Sequence, residues 1–124
     1  MSIQNKIRII YRVEKIITEL QTKYPLHSDA ANELNKLNES LKNVVDYLNK
    51  LDHLQPNYTT NEIDKYMAAI NLHIDILGAE LKNADFIRLQ KGINIIKTVL
   101  KFHPTQYSFF EFIIMWIYGF IYFI

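Results

Sequence analysis

The chain has 124 residues, no cysteine and a net charge of +1, with 22% charged and 49% hydrophobic residues. That length fits one domain with a moderate core, and the missing cysteines exclude a disulfide framework or a cysteine-ligated zinc site. The near-neutral total hides a polarity: residues 1–26 sum to +3, 27–85 to −5 and 86–124 to +3, so the ends are basic and the middle acidic.

The opening residues carry Lys6, Arg8, Arg12, Glu14 and Lys15, which interrupt the apolar stretch a secretory signal needs. With the lack of cysteine, this points to a cytoplasmic setting. Ile3, Ile7, Ile10, Val13, Ile17, Leu20 and Tyr24 recur every three or four residues, which predicts a first helix ending at Tyr24-Pro25. Ser28-Asp29 supplies a cap for a second. Its apolar series Leu34, Leu37, Leu41, Val44, Leu48, Leu51 misses no step.

Asp52 to Tyr58, with Pro56 inside it, reads as a loop. Thr59-Thr-Asn-Glu62 matches a capping box, and Ile63, Met67, Ile70, Ile74, Leu77 and Leu81 predict a third helix. Continuing that phase would put Arg88 and Lys91 in the apolar seam, so it must break near Asn83-Ala-Asp85, by a tight turn or a bend. Phe86, Leu89, Ile93, Ile96 and Leu100 restart the pattern as a fourth helix, ending at His103-Pro104.

Each apolar stripe requires a partner, so the expected fold is all-α: an antiparallel up-down helical bundle over residues 1–104. Opposite charges at helical spacing (Glu39/Lys42, Asp46/Lys50, Asp85/Arg88) mark exposed faces.

The last seventeen residues, Ser108 to Ile124, hold one charge, Glu111. Ser108-Phe-Phe-Glu111 is a capping-box pattern that would start a helix near Phe109, about 24 Å long by Ile124 at 1.5 Å per residue. That is short of the roughly 30 Å of a bilayer core. Residues 105–124 therefore have three readings: insertion into a membrane or partner, a fifth buried helix, or a strand of alternating aromatic and aliphatic residues. On the first, Phe109, Phe110, Phe112, Trp116, Tyr118, Phe120 and Tyr122 make the contact. Lys97 and Lys101 just ahead favour an anionic, cytoplasmic surface.

Motifs for chemistry are lacking. His27, His53, His73 and His103 have no second ligand at i+4, so no metal site is expected. His73 reads as a boundary residue with one wet edge. Every acid other than Glu111 stands among polar, lysine-rich neighbours and reads as solvated. Gly78, Gly92 and Gly119 are too scattered for a phosphate loop. Arg88 and Lys91 oppose Lys97 and Lys101 around a helix, and Lys6 and Arg12 oppose Arg8 and Lys15. These cations therefore read as dispersed solubilising charge rather than a nucleic-acid stripe. No cofactor, catalytic residue or small-molecule substrate is expected.

In helix number and size the layout resembles the small cytoplasmic immunity proteins of bacteriocin producers. The resemblance covers residues 3–103, and the aromatic tail departs from it. It implies a non-enzymatic protein acting at a membrane. The alternative is a self-assembling structural or pore-associated protein that forms homo-oligomers through the tail.

Overall fold

The computed structural model describes residues 2–54 and 60–101. They form α1 (Ile3–Gln21), α2 (Asp29–Leu54), α3 (Thr60–Glu80) and α4 (Asn83–Lys101), with no strand among the described residues. The all-α expectation holds over this span. The expected C-terminal helix at 105–124 lies outside it, as do Thr59 of the capping box, the Pro56 loop and His103-Pro104.

Caps and phase set the boundaries. Ser2 Oγ accepts the Asn5 amide at 3.2 Å to start α1, and Ser28 Oγ accepts the Ala31 amide at 3.2 Å to start α2, so each hydroxyl satisfies an otherwise orphaned donor. Helix α1 stops at Gln21, three residues before the expected Tyr24. Thr22 donates its hydroxyl to the Glu19 carbonyl at 2.6 Å, and the Lys23 amide donates to the Leu20 carbonyl at 2.9 Å, tightening the last turn before Pro25 is reached.

Helix α2 outruns its expected end, since 52–54 are helical rather than loop. A proline restricts the residue directly before it, so the sequence itself leaves 52–54 free to stay helical. The phase slip after Leu81 is a turn of two residues, Leu81 and Lys82. The Leu81 amide closes α3 on the Leu77 carbonyl, and the Phe86 amide opens α4 on the Lys82 carbonyl, each at 2.9 Å.

Helix α1 packs on α2 and α4, and α3 packs on the same two. Along α1 and α4, Val13 and Ile16 meet Gly92, Glu19 meets Arg88 and Lys23 meets Asp85. Numbers rise on one helix as they fall on the other, so the pair is antiparallel. Glu33 with His73 and Tyr47 with Tyr66 give α2 and α3 the same sense. A Cβ built on Gly92 would stand 3.1 Å from a Val13 methyl, so this glycine lets α1 and α4 approach closely.

The expected stripes converge on one core. Ile10, Val13, Ile17, Leu20, Leu34, Leu37, Leu41, Val44, Leu48, Ile70, Leu77, Leu89, Ile93 and Ile96 are all fully buried in it. Each such side chain contributes about 1.5–3 kcal/mol relative to exposure. Helix α3 also carries apolar residues outward. Leu72 is 59% exposed and Ile76 is exposed as well, with Ala68 and Ala79 on the same outer stripe at helical spacing.

Candidate functional site

Two of the nine residues expected to contact a membrane or partner are placed. Lys97 and Lys101 stand one turn apart at the end of α4, where the chain leaves for the apolar segment. Lys97 follows Phe86 by eleven residues, about three turns, and so lies on the same side of α4. Phe86 covers Gly78 of α3, so that side faces α3, and Lys97 is half-buried rather than outermost. Phe109, Phe110, Phe112, Trp116, Tyr118, Phe120 and Tyr122 lie outside the described residues, as does Glu111.

Three polar features, and the residue Glu14 besides, depart from the sequence expectations. The first is between α2 and α3. His73 Nδ1 lies 2.6 Å from Glu33 Oε1, with the two side chains 18% and 8% exposed, and Lys36 Nζ is 3.8 Å from the other Glu33 oxygen. A carboxylate only accepts, so it orients His73 with the hydrogen on Nδ1. His73 is the boundary residue expected, but Glu33 corrects the reading of the acids as solvated. It falls four residues before Leu37, at the edge of the α2 stripe, and helix packing buries it.

Glu14 corrects that reading too. One of its oxygens is buried without a hydrogen-bond partner among the described residues. Desolvation raises its pKa, against the opposing pull of Lys42 across the α1–α2 seam.

The second feature clasps the end of α1 to the start of α4. The Tyr24 hydroxyl donates to Asp85 Oδ2 at 2.8 Å and accepts the Lys82 amide at 2.9 Å. Lys23 Nζ donates to Asp85 Oδ1 at 3.3 Å, and Arg88 donates to Glu19 Oε2 at 2.6 Å. The Tyr24 hydroxyl chiefly, then Lys23, holds Asp85 below its ordinary pKa. The Arg88 guanidinium does the same for Glu19. Asp85 and Arg88, three apart on α4, thus turn to α1 rather than to each other. Their spacing permits an intrahelical pair, but the nearby end of α1 offers each a partner.

The third is Lys6, which is 0% exposed and therefore not part of a dispersed solubilising surface. Desolvation lowers its pKa to about 8. Counting along α1 with the steps Ile10, Val13, Ile17, Leu20, position 6 belongs to the apolar stripe. By the antiparallel register it lies level with the last turn of α4. There the final carbonyls and the helix dipole favour a cation.

Among the described residues, no group of three or more His, Asp or Glu is placed to hold a metal ion, and no helix is long and apolar enough to cross a membrane. Comparison with protein-family models, with curated proteins and with solved structures finds no match to this chain.

Proposed function

We propose that this chain is a non-enzymatic helical interaction protein of immunity or defence type, acting at the cytoplasmic side of a membrane. Residues 1–104 form its antiparallel up-down bundle, and the apolar segment 105–124 is the element that reaches the membrane or a membrane protein. One observation carries the reading. The apolar stripes of α1 to α4 already meet one another in a single core, while 108–124 adds seventeen residues with one charge. Such a segment has its own demand for an apolar environment. Lys97 and Lys101 precede it, and a lysine that reaches an anionic surface there would add about 1 kcal/mol, with the half-buried Lys97 contributing less than that. The immunity component rests on the resemblance in helix number and size alone.

Flotation of the full chain with neutral and anionic liposomes tests the reading. The chain should float with both, more with anionic lipid, and Lys97→Glu with Lys101→Glu should remove the anionic excess and its salt sensitivity. Protein left at the bottom of both gradients would overturn it.

A second reading, self-assembly, draws support from the exposed Leu72, Ile76 and Ile87, which offer apolar surface on α3 and α4 to a second copy. Native mass measurement without lipid distinguishes the two, since a defined oligomer that no longer binds liposomes favours assembly.

A further inference from the structure

The link between α1 and α2 contains two local anomalies beside a cavity. Pro25 to Ser28 form a four-residue turn, closed by the Ser28 amide donating to the Pro25 carbonyl at 3.0 Å. Its third residue, His27, takes φ 66° and is the only non-glycine residue with positive φ among those described. Glycine fits that turn position without strain, whereas a side chain there stores about 1 kcal/mol or more. The residue before it, Leu26, is 84% exposed. An apolar side chain held in water and an imidazole held in a strained conformation thus stand together at one rim.

The open depression beside them measures about 410 Å³ and is lined by Gln21, Tyr24, Leu26, His27, Ala31, Asn32 and Asn35, of which Leu26, His27, Asn32 and Asn35 are exposed. This volume falls in the range of small-molecule sites. Its chemistry is specific in one respect, because no Lys, Arg, Asp or Glu lines it. The carboxamides of Gln21, Asn32 and Asn35 and the His27 ring form no hydrogen bond within the described residues. Asn32 and Asn35 are three apart on α2 and so share a face with Ala31 beside them. Tyr24 forms a fixed wall, held through its hydroxyl by Asp85 and the Lys82 amide. The floor is fixed as well, since Ser28 caps α2 through the Ala31 amide.

We propose that this cavity binds a neutral polyhydroxylated ligand of the saccharide class. A carboxamide presents a donor and an acceptor side by side, which matches adjacent hydroxyls that each donate and accept. The Tyr24 ring and Leu26 supply apolar surface for the C–H face of a sugar ring. With no Lys or Arg in the lining, a phosphate or carboxylate finds no permanent countercharge there. An extended peptide is matched less well, because peptide capture uses a sheet edge or an apolar helix groove, and this wall has neither. The lining residues named all fall within 21–35, so this proposal stands or falls independently of the membrane reading.

The test is an NMR titration of the full, ¹⁵N-labelled chain, following the Gln21, Asn32 and Asn35 side-chain amides. The probes are maltose, N-acetylglucosamine, glucose 6-phosphate and a neutral capped tripeptide. Saturable shifts at those amides with at least one neutral sugar are expected. Asn35→Leu should weaken that binding about tenfold, the equivalent of one or two lost hydrogen bonds, with an unchanged melting curve. If Asn35→Leu perturbs folding, His27→Gly replaces it. That change relieves the turn, so melting should hold or rise while sugar binding weakens. The proposal is overturned by absence of saturable shifts with both sugars, by tighter binding of the sugar phosphate or the tripeptide, or by sugar affinity unchanged in the folded variants.

Discussion

Both the α2–α3 seam and the α1–α4 seam join antiparallel helices, and both combine apolar packing with charged groups, but the shortest ion pair in each differs in burial. Between α2 and α3 the Glu33–His73 contact is largely removed from water and sits above the tilted Tyr47–Tyr66 pair, whose ring centroids are 5.7 Å apart. Between α1 and α4, Glu19 and Arg88 are 48% and 47% exposed, and close packing at Gly92 does the joining. Contact distance is 2.6 Å in each pair, so distance does not rank them. Burial does, because a buried group that loses its partner keeps its desolvation penalty, while an exposed one regains water.

The shared core sets the scale for this comparison. Leu41→Ala should destabilise by about 2–5 kcal/mol through the cavity it leaves. An unchanged denaturation midpoint would break the account of both seams at once. Glu33→Ala should come next, at about 1.5–3 kcal/mol, because it strips His73 of a charge-assisted partner in a largely dry site. Urea unfolding of the variant checks this, and a loss no larger than that of a surface mutation would erase the difference between the seams.

Lys6 sharpens the α1–α4 side through pH. Its folded pKa lies below the free-lysine value of 10.5, at about 8, so the unfolded chain binds the proton more tightly. The stability from this group is fully present above 10.5 and is lost as pH falls through about 8. Thermal melts from pH 7 to pH 9.5 should therefore rise for the wild type relative to Lys6→Met; parallel curves would show that Lys6 is solvated. Smallest of all, Arg88→Ala should lower the melt least among these variants, and less still in high salt, as read by melts at two ionic strengths.

Much of the fold was legible because it rests on local periodicity. The unbroken series from Leu34 to Leu51 is buried throughout, and the clash of Arg88 and Lys91 with the α3 phase called for a break near 83–85, which the structure puts slightly earlier, at Leu81-Lys82, with 83–85 already the first turn of α4. What was not legible depends on partners distant in sequence. Glu33 and His73 are forty residues apart, and nothing around either names the other. Lys6 did leave a signal, since counting back from Ile10 puts it in the stripe, but charge alone suggested solvent. The cavity at His27 depends on a backbone dihedral that no residue type announces. Nor did the lysines near the tail reveal their setting. Lys97 reads as free surface in sequence, and only the Phe86–Gly78 contact shows that its side of α4 turns toward α3.

The central claim is that four helices complete their own core and leave residues 105–124 for an external apolar partner. Removing those residues and recording circular dichroism, a thermal melt and liposome flotation of the product tests it most directly. The account predicts retained helicity and a cooperative melt near that of the full chain, with flotation lost. A product that is unfolded or molten would contradict it, because the apolar segment would then supply burial that the four helices lack.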